Sequence, residues 1–175
     1  MEVVNAFNRE LKSLLATKLP VSRQKMSLIT KAAMKALKFY KHVVQSVEKF
    51  VNKCGADYKV PALYVIDAIV RQSRHQFCEK DVFGPRFMRN IVPTFLSLLQ
   101  SDPKEHTSIS RVLNLWMQNG VFPQSLIEIL LRIMENPSDH SLIEAANDEV
   151  VRILGPGKTT HLNMSHQSNN NDITG

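Results

Sequence analysis

The stretch VPALYVIDAIV, Val60 to Val70, decides the fold. Apolar side chains fall on nearly every side of it at helical spacing, and strand-like alternation is missing. A helix that is hydrophobic all round belongs near the centre of a domain. Its carboxylate, Asp67, follows Tyr64 by one turn and precedes Arg71 by another, so the three share a face that Arg74 and His75 extend. Asp67 and Arg71 fit an ordinary i,i+4 ion pair, worth about 0.3–0.5 kcal/mol. A carboxylate amid so much apolar surface needs partners, because burying it unpaired is costly. A ligand hydroxyl is one such partner.

Outward from this segment the 3.6-residue apolar period recurs between short polar breaks, giving roughly eight helices. The first spans 2–16, with Val3, Phe7, Leu11, Leu14 and Leu15 inward, and ends at Leu19-Pro20-Val21. Ser22 caps a second at 23–38, and 39–53 forms a third. The segment 59–76 is the fourth, with Pro61 in its first turn. A short piece near 79–84 precedes helices at 85–100 and 105–119, the latter stopped by Gly120. Helices at 124–135 and from Ser138 or Ser141 to about residue 155 complete the series. We expect a core at 1–137, a C-terminal helix at 138–156 that completes or flanks it, and a tail at 157–175. That tail is rich in Ser and Asn, has no periodic apolar face, and reads as disordered. No fixed-period repeat is visible, so an irregular helical superhelix or bundle is expected.

A chain of 175 residues, 43% hydrophobic and 22% charged, suits one soluble globular domain. No apolar run approaches the ~18 residues of a membrane span. The N-terminal MEVVNAFNRELKSLL carries acids and no continuous apolar stretch, which argues against a secretory leader. Cys54 and Cys78 sit in helical patterns at no metal spacing, pointing to buried thiols in cytosol or nucleus. The net charge of +6, with 22 Lys and Arg against 16 Asp and Glu, favours an anionic partner.

No catalytic or phosphate-loop motif is present, and His75 and His106 lack a cysteine or carboxylate at ligand spacing. We expect a binding module without enzymatic activity, metal or cofactor. The 105–119 helix carries Ile109, Val112, Leu113 and Trp116 on one side and Ser108, Arg111, Asn114 and Gln118 as a polar stripe. An arginine one turn before an asparagine is usually plain surface. It also suits a phosphate and an extended backbone, through the guanidinium fork and the two-way amide. Lys31, Lys35, Lys38, Lys41 and His42 form a basic row, either a solvated face or an anion-attracting patch.

ITKAAMKALKFYKHVVQSVEKFVNKC, YKVPALYVIDAIVRQSRHQF and RVLNLWMQN together resemble the RNA polymerase II C-terminal-domain-interacting domain (CID) of the SR-related, tail-associated splicing factors. The resemblance covers residues 2–135, and Ala68 replaces a serine usual in the family's L-Y-x-I-D-S-I signature. It implies an eight-helix right-handed superhelix, shared with VHS- and ENTH-like trafficking domains. The implied ligand is the phosphorylated Tyr-Ser-Pro-Thr-Ser-Pro-Ser tail of the polymerase's largest subunit, bound with a β-turn between the second, fourth and sixth-to-seventh predicted helices. By resemblance, Asp67 accepts from the heptad tyrosine hydroxyl, Tyr64 shapes that pocket, and Arg111 contacts phosphate on the heptad's second residue. Asn114 holds the peptide backbone with Gln118 further along its stripe, Arg71 adds a phosphate-side contact, and Ser22 with Lys25 forms the opposite wall. A tyrosine ring needs an apolar slot with one polar end, and a phosphoserine needs an arginine fork, so the chemistry is coherent.

The resemblance further implies a nuclear monomer acting in mRNA processing or transcription termination. Such proteins continue into an RNA-recognition domain and a low-complexity region, absent here, so a fragment or short isoform is expected. Two rival readings exist. RNA binding through the lysine row with Arg71, Arg74 and His75 is the main alternative. A membrane adaptor would need a basic amphipathic first helix, and the acids of MEVVNAFNRELKSLL disfavour it.

Overall fold

The computed structural model describes residues 1–155, so the polar segment 157–175 lies outside the described residues. Among the described residues there are nine α-helices and no strand. They are α1 (Glu2–Lys12), α2 (Arg23–Lys35), α3 (Tyr40–Lys53), α4 (Ala56–Phe77), α5 (Phe83–Met88), α6 (Ile91–Leu98), α7 (His106–Gln118), α8 (Gln124–Glu135) and α9 (His140–Leu154).

The helix holding VPALYVIDAIV is the hub, as its all-round apolarity requires. Helices α2, α3, α5, α6 and α7 all pack against α4, burying Val60, Ala62, Leu63, Val65, Ile66, Ile69 and Val70. Each large side chain sealed this way contributes about 1.5–3 kcal/mol. Around this axis α1 lies on α2 and α3, α7 on α8, and α8 on α9, an all-α superhelix. Helix α9 buries Ala146 and Val150, packs on α6 and α8, and is capped by Asp139, which accepts from Ser141 N–H at 3.0 Å.

Three departures from the sequence reading have local causes. The single helix expected at 85–100 is two, α5 and α6, broken at Arg89-Asn90, which raises the expected eight helices to nine. Pro93 has no N–H for the Arg89 carbonyl and its ring crowds that carbonyl, which disfavours a continuous helix there. Helix α4 starts at Ala56, placing Pro61 in the second turn. The carbonyl of Asp57 that Pro61 cannot serve sits on an exposed residue, where water can take it. Finally, α1 tightens into a 3₁₀ turn at Ser13–Ala16. Residues i and i+3 eclipse in that geometry, so Leu14 stays in line with Leu11 while Leu15 rotates outward to 49% exposure.

Candidate functional site

The site begins with a tryptophan. The ring of Trp116 is 1% exposed and meets Phe122 edge-on at 4.9 Å between centroids. A buried indole N–H requires an acceptor. It finds Asp67: Trp116 Nε1 donates to Oδ1 at 2.8 Å, tying α7 to the middle of α4. From the other side Arg71 donates through Nε to both carboxylate oxygens at 3.0 Å, and its Nη2 lies 2.9 Å from Oδ2. The Asp67 side chain keeps 17% of its surface in solvent, so the carboxylate is fixed on two sides and still reachable. Tyr64, one turn earlier on the same face, is exposed at 39%.

A second tie holds α7. Gly120, at φ +63°, closes the helix: its N–H donates to Met117 O, and Val121 N–H to Trp116 O at 2.8 Å. This is the Schellman ending, and it needs a residue tolerant of positive φ. The carbonyls of Gly120 and Val121 are taken by the Arg74 guanidinium of α4. Arg74 is therefore a structural link, whereas its place in the sequence suggested an outward stripe.

On α7 itself Arg111, Asn114 and Gln118 are exposed, and their side chains make no hydrogen bond or ion pair among the described residues. Arg111 stands five residues before Trp116, about 7.5 Å along the axis.

The α2 residues sit differently. Ser22 caps α2 by accepting from Lys25 N–H at 3.1 Å, and Lys25 Nζ pairs with Glu10 Oε2 of α1 at 3.0 Å. Both side chains thus have partners within the chain. The wall facing α4 is drawn instead by Arg23, Met26, Thr30, Lys31, Met34 and Lys35, which border a channel of about 830 Å³. Ala68, Arg71, Gln72 and His75 supply its α4 side. The basic row divides: Lys31 and Lys35 enter this channel, while Lys41 lies over the Tyr40 ring at 5.9 Å.

Sequence reasoning missed Trp116 as the inner partner of Asp67; the need of a lone buried indole for an acceptor was the available signal. It also missed Lys59, 2% exposed, whose Nζ donates to Val51 O at the end of α3 and to Ser97 Oγ at 3.1 Å. No grouping of His, Cys, Asp or Glu among the described residues could hold a metal ion. No helix among them is long and apolar enough to cross a membrane.

The CID domain family's sequence pattern matches residues 5–130. The chain belongs to the CID domain family. This CID is 59% identical over 140 residues to SR-related and CTD-associated factor 4 of Homo sapiens, covering 79% of this chain and 12% of that protein. It is 61% identical over 132 residues to SR-related and CTD-associated factor 8 of Mus musculus, covering 75% of this chain and 10% of that protein. The chain thus spans about a tenth of the length of these curated relatives. The CTD-interacting domain of Seb1 from S. pombe superposes with a TM-score of 0.63 at 21% identity, covering 81% of this chain and 95% of that one. That likeness corroborates the CID fold.

Proposed function

We propose that this CID binds the phosphorylated heptad-repeat C-terminal domain of RNA polymerase II in the nucleus, coupling transcription to mRNA processing or termination. The observation that carries the reading is the Asp67 carboxylate, clamped by Trp116 and Arg71 yet open to solvent beside exposed Tyr64. A fixed anion beside an exposed aromatic side chain suits a tyrosine ring whose hydroxyl donates to it. Arg111 offers an unpaired fork for a phosphate on the adjacent residue, and Asn114 an amide that can both give to and take from an extended backbone. The relatives' description as CTD-associated factors supports the same partner. Binding needs no bond-making, so the domain acts as a reader without cofactor or metal, as a monomer.

Fluorescence anisotropy with heptad peptides, unmodified and phosphorylated on the second residue, tests this. Tighter binding of the phosphorylated form is expected, and equal binding of a scrambled phosphopeptide would sink the assignment.

RNA is the second reading, favoured by the cations bordering the α2–α4 channel. It is weakened because Arg74 is committed to the α7 terminus and the channel lining holds no Phe, Tyr or Trp for base stacking, only the His75 ring. Steep salt dependence without heptad preference would favour it.

A further inference from the structure

Helix α5 carries two arginines one turn apart, Arg86 and Arg89, both half-buried. Neither guanidinium forms an ion pair or a hydrogen bond among the described residues. With Lys41 of α3, which likewise has no ion pair there, they border a cavity of about 300 Å³. The carboxylate in its lining, Asp81, is committed elsewhere. It accepts from Phe83 N–H at 2.9 Å and Gly84 N–H at 3.3 Å at the start of α5, and from the Ser73 hydroxyl. Glu48 of α3 lies within electrostatic reach of Arg89, yet it takes its hydrogen bond from Asn90 Nδ2 at 3.5 Å.

Three cations thus share one small space without a counter-charge of their own. Like charges a helical turn apart repel. A guanidinium drawn half out of water gives up hydration for its N–H donors, and only an acceptor restores it. An anion seated between the forks relieves both costs. The other walls say what carries that anion. Val82, Pro85 and Leu154 are apolar. The Tyr40 ring has Lys41 Nζ 5.9 Å from its centroid and meets Phe83 edge-on at 6.4 Å, so it offers no open platform to a base. A polypeptide side chain ending in an anion, next to an apolar residue, suits both halves of the cavity.

We propose that this α3–α5–α9 cavity docks an acidic peptide of a partner protein, with Arg86 and Arg89 as the anion fork and Lys41 as a third cation. None of its lining residues borders the α2–α4 channel or belongs to the face of Tyr64, Asp67 and Arg111. The site is therefore separate from the proposed heptad site, and both can be filled at once. The shared chemistry is an anionic side chain, either a carboxylate or a phosphate.

Fluorescence anisotropy tests this with labelled Gly-Asp-Leu-Glu-Asp-Leu-Glu-Gly, its analogue with phosphoserine for each Glu, its uncharged Asn/Gln analogue, and a short oligouridine. The two anionic peptides should bind, with or without a saturating heptad phosphopeptide, and the uncharged one should not. Preference for the phosphoserine form identifies a phosphorylated partner, and equal binding an Asp/Glu-rich one; either supports the site. Arg86→Gln/Arg89→Gln should weaken the anionic peptides roughly tenfold or more. An unshifted thermal midpoint establishes that this variant is folded. Should it be destabilised, Lys41→Glu, at an exposed position, carries the test and should weaken them severalfold.

No binding of either anionic peptide at millimolar concentration overturns the proposal, as does equal binding of the uncharged one. Binding that survives these substitutions, or that the heptad phosphopeptide displaces, overturns it as well. Tighter binding of oligouridine, lost in the same variants, assigns the cavity to nucleic acid instead. Because the heptad peptide enters only as a competitor, failure of the heptad reading would leave these outcomes distinguishable.

Discussion

Replacing Asp67 separates its two tasks. In Asp67→Ala the buried indole N–H of Trp116 loses its acceptor, which costs about 1–3 kcal/mol. The Arg71 pair, on an exposed guanidinium, adds only about 0.3–0.5 kcal/mol. A loss near 1.5–3 kcal/mol follows, lowering the thermal midpoint by several degrees at about 2–4 °C per kcal/mol. Asp67→Asn keeps an amide oxygen in place for the indole, so its stability loss should stay near 1 kcal/mol. Both variants remove the charged acceptor for a tyrosine hydroxyl. Both should therefore weaken unmodified and phosphorylated heptads alike, by about 1.5–3 kcal/mol. Urea unfolding followed by the fluorescence of Trp116, the sole tryptophan, reads the first effect, and peptide anisotropy the second. If Asp67→Ala unfolds at the parent midpoint, the indole bond does not hold α7 to α4. If Asp67→Asn weakens only the phosphorylated peptide, the carboxylate does not serve the tyrosine.

Arg111→Ala should weaken phosphopeptide binding by about 1–3 kcal/mol and leave the unmodified peptide nearly unchanged; an unaltered preference would contradict its phosphate role. Glu48 is pushed by burial from its ordinary 4.5 to about 7, against the lowering pull of Asn90 and Arg89, and its Oε2 has no partner among the described residues. A carboxyl raised in the folded state favours folding only while protonated, so stability should fall as pH rises from 4.5 to about 7 and then level off. The full gap is worth roughly 3 kcal/mol, cut to about 1–2 kcal/mol by partial solvent access. Glu48→Gln should thus stabilise the protein near neutral pH and flatten that slope in urea titrations; an unchanged slope would rule the group out. Lys59→Ala should cost about 2–4 kcal/mol, through a cavity and the loss of the tie between the end of α3 and Ser97, measured by chemical denaturation.

The local interactions of the chain determine most of its helices. All-round apolarity placed Val60–Val70 at the centre, Ser22 marked the start of α2, and Gly120 the end of α7, because periodicity and capping act within a turn or two. The break at Arg89-Asn90 was also legible, through Pro93, though the apolar run concealed it. Leu15 was not, because one 3₁₀ turn shifts its phase. The face carrying Tyr64, Asp67 and Arg71 could be read from spacing alone. What joins that face to α7 could not: Trp116 lies 49 residues from Asp67, and Gly120 lies 46 from Arg74. Lys59, Val51 and Ser97 likewise meet only when α3, α4 and α6 pack. Those bonds satisfy polar groups that packing has removed from water, so their partners are chosen by the tertiary fold. The sequence supplied the carboxylate of Asp67; only the packing of α7 on α4 decided that it would be held by an indole and left with 17% of its side-chain surface in solvent.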